Sequence, residues 1–373
     1  MWTGIKVLKL TPSLLPTFCK SITPSPSIIH PKISTTFPNH PSFSLKPRIT
    51  TQIPATQQTN NQTMPSYTNP ETTNLHYSES DIAQKFLFFN VLKDGRIHIL
   101  QPPVKKIPPS SYPSSDALIK DVEITPDVSA RIFLPKTCIS STGRKLPVLL
   151  YIHGGGYCMN SAFSEDYTRF MADISSEANV IAVSVEYGLF PERPIPACYD
   201  DSWAALQWIA AHSNGSGPDP WIHGYADLGK IFVGGDSAGG NISHYLLAKV
   251  GSMGLTGDSK VEGMILIHPY FGEDDKMWMY MCPKNEGPQD YRMKPAVEDL
   301  ARIGCGRVLV LLADHDGLYG VGRMYADELI KSGWKGKVEI MVNEGKDHCF
   351  LIADHLDPEA VAVRKRIASF IQN

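Results

Sequence analysis

Gly235-Asp236-Ser237-Ala238-Gly239 sets one hydroxyl between two glycines. The run follows an apolar, β-rich stretch (230–233) and opens a helical one (239–250). In that setting a G-x-S-x-G sequence makes a tight strand-to-helix turn that strains the serine backbone and projects its Oγ. The helix N-terminus behind it favours the negative charge that develops when a carbonyl is attacked. Such a serine suits acyl transfer, provided that a base and an oxyanion cradle lie nearby.

His153-Gly154-Gly155-Gly156 supplies the cradle, directly after the apolar run 146–152. Successive glycines expose backbone N–H groups that donate to an oxyanion without having to move. The N–H groups of these three glycines, together with that of Ala238, are the candidate donors. Asp316 follows the run 308–312 and His348 follows the run 338–342. The chain order Ser, Asp, His is the order of an α/β-hydrolase triad. Ser237 attacks, His348 takes its proton, and Asp316 holds the imidazole tautomer. Asp314 and Asp347 compete with Asp316 for the acid, and His315 and His355 compete with His348 for the base. Asp316 is preferred because it lies further into its loop.

The elements that position these groups are short apolar runs at 146–152, 180–185, 230–233, 263–267, 308–312 and 338–342. Helical stretches at 200–212, 239–250 and 321–332 lie between them. Continuous apolar strands alternating with helices indicate an α/β fold with a mostly parallel central sheet flanked by helices. Each candidate group falls at the end of a strand, where open α/β sheets place ligands. A hairpin is expected around the turn 93–96, a proline-rich crossing at 102–113, and further strand within 122–134.

Composition divides the chain near residue 70. Before Glu71 there are six Lys/Arg, eleven Pro, twenty Ser/Thr and no acidic residue. Residues 1–75 are expected to be a disordered, transit-peptide-like tail directing the chain to the plastid. Met64 offers a second start that would leave the protein in the cytoplasm. Residues 76–373 are expected to be one hydrolase domain. The 373-residue chain is 42% hydrophobic, enough for a sizeable core. Its net charge of −3 gives little support for nucleic-acid binding. It lacks the long apolar run of about 18 residues that would cross a membrane. Seven scattered cysteines show neither a disulfide framework nor metal-ligand spacing. Asn61 and Asn241 head glycosylation patterns, but neither implies secretion: one lies in the tail and the other in the nucleophile helix.

The sequence resembles the plant carboxylesterase family, within the hormone-sensitive-lipase group of α/β-hydrolases. The likeness covers about residues 85–371 and rests on His-Gly-Gly-Gly-Tyr, Gly-Asp-Ser-Ala-Gly-Gly-Asn, Ser-Val-Glu-Tyr, Pro-Glu-Arg-Pro-Ile-Pro-Ala and His-Pro-Tyr-Phe. It implies Ser237, Asp316 and His348 as the triad and Gly155, Gly156 and Ala238 as the oxyanion hole. It also implies an N-terminal cap from about 76–115 and a cofactor-free enzyme with no metal. The substrate would be a small-molecule plant ester, and the protein a monomer or homodimer. Tuliposide-converting transesterases, dehydratases and alkaloid cyclases are similar on the same fold. Gibberellin receptors also share it but lack the catalytic histidine, which His348 supplies here. Two departures stand out. Gly188 stands where the family usually has arginine, and only Gly272, Glu273 and Asp274 separate the His-Pro-Tyr-Phe segment from 275–278. The short connection is expected to open the pocket, with Tyr157, Trp278 and Met281 on its wall. Glu192 is expected to brace the loop after Tyr187.

Overall fold

Successive residues of the strand Leu146–Ile152 go to opposite sides of a sheet. Val148, Leu150 and Ile152 join one buried cluster, while Leu149 and Tyr151 join a second. The same split runs through Val308–Leu312, where Leu309 and Leu311 leave the first cluster for the second. A strand buried on both faces needs helices on both faces. The helices Ala197–Ala210, Ala238–Met253 and Tyr319–Lys331 pack on the first side, and Glu165–Glu177 and Pro358–Gln372 on the second.

The computed structural model describes residues 77–112, 116–140 and 143–373. The tail 1–75, its targeting role and Met64 lie outside the described residues. Strands β1 (Ile82–Lys85), β2 (Phe89–Leu92) and β3 (Ile97–Ile99) form a small antiparallel sheet. Strands β4 (Ala117–Thr125), β5 (Val128–Pro135), β6 (Leu146–Ile152), β7 (Ile181–Glu186), β8 (Ala226–Asp236), β9 (Val261–Ile267), β10 (Arg307–Ala313) and β11 (Lys337–Asn343) form the main sheet. Its order is β11-β10-β9-β8-β6-β7-β5-β4. Pairing is parallel from β7 through β6 to β11, and β5 runs antiparallel to both of its neighbours. The fold is that of an α/β-hydrolase.

The strand order reverses at β6. Strands β8 to β11 extend one side, and β7, β5 and β4 the other. The loops after β6 and β8 therefore start next to each other at the carboxyl edge of the sheet, the topological switch point of an open α/β fold. These are the His-Gly-Gly-Gly loop and the Ser237 turn.

The loop after β7 is braced although Gly188 stands where the family usually has arginine. Arg193 donates to Asp201 through both terminal nitrogens, at 2.6 and 2.9 Å, and the Gly188 N–H donates to the same carboxylate at 2.8 Å. A Cβ on Gly188 would meet the Arg193 side chain at 2.6–2.9 Å. Arg193 thus occupies the space beside position 188 and braces the loop itself, whereas Glu192 is exposed. Arg193→Ala leaves Asp201, only 6% exposed, without its cation. The expected loss is about 2 kcal/mol, below that of a fully buried pair because the guanidinium is partly exposed. Urea unfolding measures it, and adding Gly188→Arg to the same chain should return part of the loss.

Candidate active site

Ser237 sits between β8 and the helix Ala238–Met253 with φ 52° and ψ −119°. Few side-chain-bearing residues adopt a positive φ, and its presence marks a turn held by its surroundings. The glycines make the turn possible. A Cβ on Gly235 or Gly239 would collide with the Ile152 carbonyl oxygen at the end of β6. The Ser237 N–H donates to Ile267 O at 2.8 Å, and Ser237 O accepts from Tyr270 N at 3.0 Å. The nucleophile backbone is thereby fixed to the end of β9.

The loop after β6 turns at Gly155 (φ 111°) and Gly156 (φ 57°). A Cβ on Gly155 would strike the Met159 carbonyl. Among the described residues neither the Gly155 nor the Gly156 N–H has an acceptor. The Ala238 N–H is the first of its helix, where backbone donors lack intrahelical partners. The expected oxyanion donors are therefore unengaged groups on turns that only glycine or a helix start provides.

His348 Nδ1 donates to Asp316 Oδ2 at 2.7 Å, and Asp316 Oδ1 accepts from the Leu318 N–H at 2.8 Å. Burial alone would raise the Asp316 carboxyl. The bonds from His348 and Leu318 outweigh it and hold the group below the ordinary carboxylate range. Asp316 stays ionised and keeps the His348 proton on Nδ1, leaving Nε2 as the base. The competing residues have other places. Asp314 accepts from the Gly345 N–H at 2.6 Å and braces the entrance to the histidine loop, while Asp347 and His315 are exposed. His355 offers its carbonyl to Arg364.

One buried carboxylate was not singled out by sequence reasoning. Asp236, 1% exposed, accepts from Tyr151 OH at 2.8 Å, Tyr167 OH at 2.8 Å and the Gly154 N–H at 3.1 Å. The Cys349 thiol approaches its Oδ2 at 3.6 Å. Burial, with the Asp236 charge beside them, pushes both tyrosine phenols and the Cys349 thiol well up, so all three remain protonated donors. The signal available in sequence was an acid inside an otherwise apolar strand end.

The expected pocket wall needs correction. Tyr157 and Trp278 are 1% exposed and Met281 is fully buried. The short helix Lys276–Met281 turns Met277, Trp278 and Met281 into the core. Tyr157 packs edge-on to Tyr270 with its ring centroid 5.9 Å away. The outward aromatic of that helix is Tyr280, whose ring lies 5.1 Å from Phe86 and 5.7 Å from Phe89. Phe88 lies against the oxyanion loop, where a Cβ on Gly156 would collide with its ring. The 272–274 connection is tied down as well. Gly272 N donates to Met293 O at 3.1 Å, Asp274 N to Pro288 O at 3.0 Å, and Glu273 pairs with Lys294.

Known proteins are similar to this chain. A family model described as alpha/beta hydrolase fold matches residues 149–277. Probable carboxylesterase 5 of Arabidopsis thaliana is 39% identical over 79% of this chain and 99% of its own length. The chain belongs to the plant carboxylesterase family. A 2-hydroxyisoflavanone dehydratase of Glycyrrhiza echinata is 36% identical over 71% of this chain and 88% of its own. Among solved structures, a fungal esterase from Rhizomucor miehei superposes with a TM-score of 0.59 at 22% identity, covering 71% of this chain and 85% of the esterase. An esterase from Pyrobaculum calidifontis gives 0.55 at 25% identity, covering 68% of this chain and 84% of that one.

This carboxylesterase is a serine ester hydrolase, and its geometry orders the chemistry. In the roles the sequence assigns them, Ser237 Oγ would add to the ester carbonyl as His348 Nε2 accepted its proton, and the oxyanion would meet the N–H groups of Gly155, Gly156 and Ala238. Collapse expels the alcohol with the proton from His348, and water repeats the cycle on the acyl-enzyme. Asp316→Asn should lower kcat roughly 10⁴-fold through the wrong tautomer. Asp314→Asn should cost far less. Steady-state kinetics on a p-nitrophenyl ester separates the two, and the reverse order would move the acid to Asp314.

Proposed function

We propose that this carboxylesterase hydrolyses small plant-metabolite esters, and that water is the second acceptor in place of a substrate hydroxyl. The observation that carries this reading is the exposure of the base. The His348 side chain is 38% exposed while its Asp316 partner is 3% exposed. The histidine must activate whatever attacks the acyl-enzyme, and an open imidazole admits water. A transesterase or lactone-forming enzyme would gain by keeping water away from that atom. The dehydratase relative supports elimination as the second reading, because it shares the fold and much of the sequence. An intact nucleophile motif favours the ester route.

Incubating the purified protein with acyl-glucosides and short p-nitrophenyl esters and resolving free acid from lactone tests the proposal. Free acid should dominate, and Ser237→Ala should abolish it while leaving the fold unchanged. Lactone as the main product would replace hydrolysis by transesterification. Turnover of a hydroxyflavanone that survives Ser237→Ala would favour elimination.

Plastid import belongs to the same proposal. The hydroxyl-rich stretch 1–70, free of acidic residues, supports it, whereas a relative 37% identical, probable carboxylesterase 4, mitochondrial, of Arabidopsis thaliana, is named for a different organelle. A fluorescent fusion of residues 1–75 should enter plastids. Mitochondrial or uniform cytoplasmic fluorescence would replace that destination.

A further inference from the structure

His268 lies at the meeting point of all three catalytic loops. It follows the last residue of β9. Its neighbour Ile267 accepts from the Ser237 N–H at 2.8 Å, and Tyr270 donates back to Ser237 O at 3.0 Å. Its own N–H donates to Leu311 O at 2.9 Å, on the strand that leads to Asp316. Its ring reaches the third loop, where Nδ1 accepts from the Cys349 N–H at 2.8 Å. Cys349 is the residue after the catalytic histidine. The His268 ring also stacks on Phe350, with centroids 6.0 Å apart and planes 26° apart, and lies 5.8 Å from the His348 ring.

The local backbone is bent to make this contact. His268 has φ 44° and Cys349 has φ 52°, both in the left-handed region. Such conformations are costly for side-chain-bearing residues and persist only where surrounding contacts hold them. The Cys349 N–H is one such contact. The ring is 1% exposed, so water cannot replace it as the acceptor.

We propose that His268 is a positioning residue: its neutral imidazole fixes the Cys349 N–H and thereby sets where His348 stands relative to Ser237 and Asp316. The role requires an uncharged ring, because a protonated Nδ1 donates and would turn the Cys349 N–H away. A second cation would also oppose the imidazolium that forms on His348 during turnover. The ionisable groups around the ring are His348, Asp316 and Cys349. Burial first, then the proximity of His348, hold the His268 pKa down at about 4, against the pull of Asp316.

The same trio has a competing reading. His268, His348 and Cys349 bring potential ligand atoms within 4.8 Å of one another. Among the described residues the His268 Nε2 is buried without a partner, a ring nitrogen left for a ligand, but the thiol that would complete the set is directed to Asp236, and both Nδ1 atoms are engaged, by the Cys349 N–H and by Asp316. Burial also opposes the thiolate that a cation would need. Positioning accounts for every one of these contacts.

The test compares two substitutions of similar bulk in the full-length enzyme. His268→Asn keeps an acceptor near the Nδ1 position, and His268→Leu removes it and leaves the Cys349 N–H buried and unpaired. The expected result is a fall in kcat of about 10- to 100-fold for the leucine variant with KM nearly unchanged. The asparagine variant should stay within about threefold of the parent by the same reasoning. Equal losses in both variants, or a folded leucine variant with full kcat, would overturn the proposal. Should the leucine variant fail to fold, ¹⁵N spectra of the unmodified enzyme decide. His268 should hold one proton, on Nε2, from pH 8 down to about 5, the range set by its lowered pKa. A proton on Nδ1, or a charged ring at pH 6.5, would overturn it.

Discussion

The active site is built around a buried carboxylate that stands outside the Ser237, Asp316 and His348 set. Asp236 precedes the nucleophile and is out of reach of solvent. An ionised carboxylate in such a place is costly unless hydrogen bonds satisfy it. Its donors come from four separate parts of the chain. Tyr151 stands in β6, Gly154 in the oxyanion loop, Tyr167 in the helix Glu165–Glu177, and Cys349 beside the catalytic histidine. Each donor satisfies part of the charge, and together they fix the spacing between nucleophile, oxyanion loop and base. The shape of the loop follows from this. A Cβ on Gly154 would overlap an Asp236 carboxylate oxygen, so the first glycine of the cradle is required by the anion and the next two by the backbone turn.

That arrangement depends in turn on the order of the sheet. Because β8 pairs with β6, Asp236 and Ile152 lie at adjacent strand ends, and the glycines around Ser237 clear the Ile152 carbonyl. Asp316 and His348 arrive from β10 and β11, further along the same edge. The end of β9 spans the gap between the nucleophile and these two. Its backbone bonds reach Ser237 on one side and Leu311 on the other. The sheet therefore serves as a ruler, with one strand end per catalytic group and one between them.

Most of this framework was legible in the residue pattern. The run 146–152 coincides with β6, and the runs 263–267, 308–312 and 338–342 fall inside β9, β10 and β11. Apolar strands buried on both faces announce themselves by continuity. The strand before the nucleophile was read short, as 230–233, because Gly234 and Gly235 break its apolar run while its ladder continues to Asp236. Gly234 belongs in the strand because the Ile265 side chain crowds it. The helices Glu165–Glu177 and Pro358–Gln372 stand out less in the pattern, although each has a capping residue, Ser164 and Asp357. The pairing of Asp316 with His348 follows from loop position and appears in the geometry. What local pattern could not give is direction. Trp278 and Met281 were placed on a pocket wall because of their type, and the pitch of a six-residue helix turns them into the core. Arg193 likewise serves the loop from a position five residues beyond the missing arginine, a substitution visible only in three dimensions.

Backbone strain shows where the fold gives up stability to this site. Among the described residues, Tyr157, Asn160, Asn179, Ser237, His268, Asp274 and Cys349 have positive φ without being glycine. Five of these seven lie in the oxyanion loop, the nucleophile turn, the end of β9 or the histidine loop. Each such conformation costs on the order of 1–3 kcal/mol, while a whole domain keeps a margin of only about 5–15 kcal/mol. Such strain persists only where local bonds offset it. Ser237 is held through both its N–H and its carbonyl, His268 through its N–H and its ring, and Cys349 through its N–H and its thiol. In each case the bonds that offset the strain run to a different strand or loop of the site. Loosening one loop would release strain in the next, so the loops are stable together and less so apart. Pre-organisation of this kind lets the oxyanion donors stand in place before charge develops, and it is why they need not move when it does.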